Sequence, residues 1–293
     1  YRIMAPKTVV ETVEDKENQI SLQLARNIDN GYDIDDVVNV DVTPKNFGRI
    51  AAQAAKQVMI QRLREAERSI VYDEFSNRTD DIITGIIQRI EQQNIYIDLG
   101  KAEAVLPASE QIPTETYTVG QRLKCYVVEV RKTTKGAQIL LSRTHPGLLK
   151  RLFELEVPEI YDGVVELKSV AREPGRRSKI AVYSRDENVD SVGACVGQKG
   201  MRVQNIVTEL QNEKIDIVKW DEDPAVYIAN ALSPAQVISV TVDENDKSSS
   251  VVVPDYQLSL AIGKAGQNAR LAAKLTNWKI DIKSETQAGQ LAS

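Results

Sequence analysis

The chain has 293 residues, 42% hydrophobic and 27% charged, which excludes a fully disordered polypeptide and leaves room for several domains. One histidine, His145, and two cysteines, Cys125 and Cys195, lie in different sequence neighbourhoods, which excludes a Cys/His zinc site and a disulfide framework. The net charge of -5 excludes a uniformly basic nucleic-acid binder, and no apolar run approaches the roughly 20 residues of a membrane span.

The opening Tyr1-Arg2-Ile3-Met4 has no basic-then-apolar export pattern, so an unexported, cytoplasmic chain without a membrane partner is expected. Because the sequence does not begin with Met, its natural N-terminus is expected upstream. Residues 1–41 hold nine acids and four bases, a deficit that equals the whole net charge, so residues 42–293 sum to zero. Short extended runs at Thr8–Val13 and Asp36–Val42 flank a turn at Asp15–Asn18. After Thr43-Pro44, the residues Ile50, Ala54, Val58, Met59, Leu63, Ala66 and Ile70 recur at three- and four-residue steps. They make one apolar stripe on a long helix ending near Phe75, and this first segment reads as an α/β unit.

Residues 79–145 carry five short β-rich runs, at 82–87, 95–100, 104–106, 123–130 and 137–141, separated by turn residues such as Gly100-Lys101 and Lys135-Gly136. No helical period interrupts them. This spacing predicts a small closed barrel of the OB type, a fold that commonly binds single-stranded nucleic acid across one face. Residues 121–151 hold eight bases against Glu129 alone, so an acidic end and a basic middle predict two different partners. His145 sits in Arg143-Thr144-His145-Pro146-Gly147, a turn signal, and reads as a loop residue, not a general base. The acids Asp80-Asp81 and Asp221-Glu222-Asp223 stand at junctions without a second cluster and read as solvated linker acids, not metal ligands.

Residues 146–293 contain an internal repeat. One copy reads Gly197-Gln198-Lys199-Gly200, a helical run, then Lys214-Ile215-Asp216-Ile217. The other reads Gly263-Lys264-Ala265-Gly266, a helical run, then Lys279-Ile280-Asp281-Ile282. Hairpin signals precede both, Val164–Ala171 with Lys179–Tyr183 around Glu173-Pro174-Gly175, and Val237–Val242 with Val251–Val253 around the polar run 243–250. Short inter-domain helices are expected at 150–160 and 224–234. Each copy therefore reads strand, strand, helix, G-x-x-G, helix, strand.

A G-x-x-G turn between helices lets the backbone bend sharply and admits a second chain at close range. The helix that follows presents its N–H groups and positive dipole end there, which suits a polyanion. This is the KH arrangement, which clamps the backbone of about four nucleotides. The inner pairs Gln198-Lys199 and Lys264-Ala265 each carry one cation and no acid, and Arg202 and Arg270 lie a turn or less into the next helices. Val203, Ile206, Val207 and Leu210 have core spacing. A nucleotide P-loop is excluded, because Lys199 precedes Gly200 and Lys264 precedes Ala265 where Ser or Thr would be needed.

Several stretches, among them 143–147, 152–160, 171–175, 192–197 and 255–263, closely resemble the NusA family of bacterial transcription elongation and termination factors, from about Ser21 to Ile282. The resemblance implies a multidomain α+β chain with an N-terminal α/β polymerase-binding unit (1–76), a five-stranded OB-type β-barrel of ribosomal-protein type (77–145) and two tandem KH domains of the prokaryotic type (146–226 and 227–293). It implies a non-enzymatic factor with no cofactor, a monomer whose partners are RNA polymerase, single-stranded nascent RNA and other Nus and termination factors. Its role would be in pausing, termination and antitermination. The family's N-terminal domain usually opens with a helical head before the segment that begins here, and the acidic C-terminal repeats of some members are not in this sequence.

RNA contacts are expected at Gly197, Gln198, Lys199, Gly200, Arg202, Gly263, Lys264, Ala265, Gly266, Gln267 and Arg270, with barrel candidates Tyr96, Arg122, Lys124, Arg131 and Lys132. Only 5% of residues are aromatic, so the KH pair is expected to supply most affinity and the barrel to add charge. The alternatives are an accessory RNA-binding region of an RNA-degradation enzyme and a free RNA chaperone. A ribosomal protein would be strongly basic, against a pI of about 5.3.

Overall fold

A computed structural model describes residues 2–134 and 136–291; the expected turn residue Lys135 and the terminal Tyr1 lie outside the described residues. The chain forms two compact units, one to Glu67 and one from Arg68.

In the first unit, β1 (Met4–Val10) pairs in parallel with β2 (Gln19–Ser21) and antiparallel with β3 (Val37–Asp41). The Asp15 carboxylate accepts from the amide of Glu17 at 2.8 Å and closes the turn between β1 and β2. The short α1 (Leu22–Arg26) follows, capped by Ser21. Val9, Ile20, Ala25 and Val38 form the core. The long helix α2 runs from Phe47 to Ser76. Its apolar stripe stays in solvent, with Ile50, Val58, Met59 and Leu63 each at least 55% exposed. The buried cluster of this unit is built by the sheet and α1 and holds no α2 residue.

In the second unit, β4 (Ile82–Glu91), β5 (Asn94–Asp98), β6 (Glu103–Leu106), β7 (Arg122–Thr133) and β8 (Gly136–Ser142) close a barrel in the order β4-β5-β6-β8-β7. All five expected strands are present. Alternate residues Ile87, Ile95, Ile97, Leu123, Cys125, Val127, Ile139 and Leu141 fill the interior, and Phe75 joins them from the end of α2.

His145 begins α3 (Pro146–Glu156) as its N-cap, accepting from the Gly147 amide at 3.0 Å, and its ring stacks on Tyr126 at 4.4 Å. It is a structural cap, not merely a loop residue. After α4 (Pro158–Tyr161) come β9 (Val165–Glu173), β10 (Arg177–Ser184), α5 (Ser191–Val196), α6 (Met201–Glu209) and β11 (Lys214–Lys219). The sheet order is β11-β10-β9, with β10 and β11 parallel. Asp223 caps α7 (Pro224–Ala231) through the Ala225 amide at 2.8 Å, which accounts for one of the junction acids.

The second repeat comprises β12 (Ser239–Asp243), β13 (Ser248–Val253), α8 (Leu258–Ile262), α9 (Gln267–Thr276) and β14 (Lys279–Ser284), followed by α10 (Glu285–Leu291). Its sheet has the same plan, with β13 and β14 parallel. The strand β13 starts earlier than the apolar run implies, because Ser249 is buried and donates to the Lys279 carbonyl at 3.1 Å. No helix among the described residues is long and apolar enough to cross a membrane.

Buried ions fasten the barrel to the first repeat. The fully buried Arg143 donates from Nε to Glu115 (2.9 Å), from Nη1 to the Lys124 carbonyl (2.8 Å) and from Nη2 to the Glu209 carbonyl at the end of α6 (2.9 Å). Arg172 pairs with the buried Glu213 at 2.8 and 2.9 Å. Burial pushes the Glu213 carboxyl up, but Arg172, Ser178 and the Gly175 amide outweigh it, so its pKa lies below the ordinary range. Burial raises the thiols of Cys125 and Cys195 to about 12, as befits core cysteines.

Candidate nucleic-acid interface

The two G-x-x-G turns have nearly the same backbone. Gly197 (φ 73°, ψ 177°) matches Gly263 (76°, 170°), Lys199 (51°, 25°) matches Ala265 (52°, 31°), and Gly200 (77°, 12°) matches Gly266 (72°, 16°). In both, the first glycine amide donates into the preceding helix and the last donates to the carbonyl of the first, at 3.0–3.1 Å. The first glycine lies in a region open only to glycine. The last faces differently: a Cβ at Gly200 would meet nothing within 4 Å.

A side chain braces each turn from behind. In the first repeat it is Arg202, whose stem would touch a Cβ on Gly197 at 2.7 Å. Its Nη1 donates to the Ala194 carbonyl at 2.6 Å and to Glu159 of α4 at 2.8 Å. In the second it is Asn268, equally the fifth residue after the first glycine. It is 4% exposed, its Nδ2 donates to the Leu232 and Ala261 carbonyls at 3.0 Å, and its Oδ1 has no partner among the described residues. Arg202 is thus the counterpart of Asn268, not of Arg270. Both arginines lie a turn or less past a G-x-x-G string, yet they stand two positions out of register in the repeat.

These positions predict unequal glycine substitutions. Gly263→Ala puts a Cβ 2.8 Å from the Asn268 amide nitrogen in a glycine-only conformation, and should cost about 2–3 kcal/mol. Gly200→Ala meets only the left-handed penalty, about 1–2 kcal/mol. Denaturation midpoints of the two variants check the order.

Gln198, Lys199, Lys264 and Ala265 are exposed, and neither lysine has a side-chain partner among the described residues. Gln267 and Arg270 are engaged. Gln267 Nε2 donates to Glu173 of β9 at 2.8 Å, and Arg270 donates to the same carboxylate at 3.0 and 3.2 Å. Burial pushes the Glu173 carboxyl up, but these donors outweigh it and hold it below its usual range.

The barrel candidates do not converge on one patch. The Arg89 guanidinium covers the Tyr96 ring at 4.0 Å and pairs with Glu103, so that ring face is taken. Lys124 pairs with Glu209 at 3.5 Å, Arg131 with Glu129 at 2.7 Å, and Lys132 lies over Tyr72 at 5.8 Å. Arg122 lines a groove of about 410 Å³ between the barrel, α3 and α6. Arg122 and Lys132 stand at opposite ends of β7.

A closed OB-type barrel followed by two β-sheet units with G-x-x-G turns defines a protein assembled from RNA-binding domains. Four family descriptions match in succession: NusA N-terminal domain over residues 1–69, S1 RNA binding domain over 76–142, NusA-like first KH domain over 143–220 and NusA-like second KH domain over 224–290. The chain is 65% identical over 290 residues to the transcription termination/antitermination protein NusA of Halalkalibacterium halodurans, covering 99% of this chain and 76% of that protein. It is 62% identical over 290 residues to the namesake from Bacillus subtilis (99% and 78% covered). Against the one from Thermus thermophilus it is 47% identical over 275 residues (94% and 71%). The chain belongs to the NusA family.

Proposed function

We propose that the chain is a non-enzymatic RNA-binding transcription factor that associates with RNA polymerase and single-stranded nascent RNA in the cytoplasm and modulates pausing, termination and antitermination. The observation that carries this reading is the pair of turns with one backbone conformation, each offering beside a helix N-terminus a lysine without a side-chain partner among the described residues. A nucleic-acid backbone lying along both turns would meet Lys199 and Lys264 and the inner residues Gln198 and Ala265. Gly197 and Gly263 supply the bend, and Gly200 and Gly266 keep the outer face low. Arg202 shapes its turn from behind, with its guanidinium engaged by Glu159 and the Ala194 carbonyl. In the barrel, Arg122 is the best-placed cation, because it lines an open groove and has no ion pair among the described residues.

The names of the relatives support a role in termination and antitermination. Co-purification of the tagged chain with core RNA polymerase, with and without a bound transcript, tests the proposal. Retention with polymerase, strengthened by the transcript, is expected. RNA binding without any retention would instead favour a free RNA chaperone.

A further inference from the structure

Glu173 closes β9 at the hairpin turn Glu173-Pro174-Gly175, and that turn is held from several sides. Next to it, Arg172 pairs with Glu213 and donates to the His145 carbonyl at 2.9 Å. The Gly175 amide donates to Glu213 at 2.8 Å, and the barrel residues Ile112 and Thr114 leave no room for a side chain on Gly175. From this fixed position the Glu173 carboxylate reaches the second repeat. It takes Gln267, the first residue of α9, and the guanidinium of Arg270 one turn later. Arg270 also donates through Nη1 to the carbonyl of Ala265, inside the G-x-x-G turn.

A carboxylate held by an arginine fork and an amide at the first turn of a helix has the surroundings that suit a phosphate. In the first repeat the arginine near the turn is Arg202, which pairs with Glu159 of the same repeat. The residue there in register with Arg270 is Gln204, which is exposed. Each turn thus has one lysine and one paired arginine, and the second differs in that its arginine is matched by an acid of the neighbouring repeat.

We infer that Glu173 is an internal competitor for RNA at the second turn: its carboxylate occupies Gln267 and Arg270, and a nucleic-acid phosphate gains those donors only by displacing it. This rests on the reading that the G-x-x-G turns bind RNA. With the carboxylate in place, the second turn offers Lys264 alone. With it displaced, the same turn offers two cations and an amide to one stretch of backbone.

The test is binding of a labelled single-stranded RNA of about twelve nucleotides, long enough for two four-nucleotide clamps, across a salt series. Glu173→Gln keeps an acceptor oxygen for Gln267 and removes the charge. It is expected to tighten binding by roughly three- to tenfold near 0.1 M salt and to steepen the slope of log affinity against log salt by about 0.7, one added single-strand phosphate contact. Glu173→Gln combined with Arg270→Gln should return affinity and slope to those of the wild type. If Glu173→Gln weakens binding or leaves it unchanged, the residue is a strut between repeats and the competitor role is wrong. A gain that survives Arg270→Gln also overturns it. Lys264→Asp with Ala265→Asp, measured alongside, separates the two failures. Should that variant bind like the wild type, the reading of the turn itself fails, whatever Glu173 does.

Discussion

With aspartate at Gln198, Lys199, Lys264 and Ala265 together, the protein should lose at least about a hundredfold in affinity for single-stranded RNA at moderate salt while keeping its unfolding temperature within a few degrees. The change removes both lysines and places four carboxylates where a phosphodiester would lie. Its structural cost is small for two reasons. All four side chains are exposed, and the two positions with left-handed backbone, Lys199 and Ala265 (φ 51° and 52°), are ones aspartate tolerates better than most residues. Fluorescence anisotropy with a short RNA gives the affinity, and a circular-dichroism melt gives the fold. Affinity within about threefold of wild type in a folded variant would mean that RNA travels by another surface.

The largest stability effect should come from Arg143→Met, at about 3–5 kcal/mol. Both Arg143 and its partner Glu115 have fully buried side chains. Removing the guanidinium leaves the Glu115 carboxylate without its counter-charge, and it also orphans the Lys124 and Glu209 carbonyls. A second variant separates these terms. Combining Arg143→Met with Glu115→Gln relieves the stranded charge and should restore a substantial part of the lost urea midpoint. Because these bonds span the barrel and the end of α6, the single variant should also raise amide exchange at that junction.

The sequence carries the architecture because it repeats local signals that physics ties to single outcomes. Runs such as Ile95–Leu99 and Leu123–Val130 are β-branched and bounded by glycine turns, so the five barrel strands are legible. The twin G-x-x-G strings with matching Lys-Ile-Asp-Ile strands give the paired units, and the parallel β10–β11 and β13–β14 registers follow that repeat. What is not legible is long-range pairing of charges. Glu173 reads only as a hairpin residue, yet it meets Gln267 and Arg270 more than ninety positions away. The interruption of the Tyr96 face by Arg89 depends on the register of β4 against β5, which a bulge shifts between Ile87 and Arg89. The stripe on α2 shows the opposite limit. Period alone says which residues share a side of a helix, and it does not say whether anything packs there.

The different braces behind the two turns make the repeats unequal parts despite their matching bends. A salt bridge from Arg202 to Glu159 ties the first bend to α4 of the same repeat, so its stiffness is sensitive to ionic strength and to how α4 is seated. The second is pinned by the neutral amide of Asn268 to main-chain carbonyls, an anchor that carries no charge, and the ion-paired Arg270 adds a contact to the Ala265 carbonyl. Grafting residues 263–266 into the first copy would carry over the curvature without its anchor.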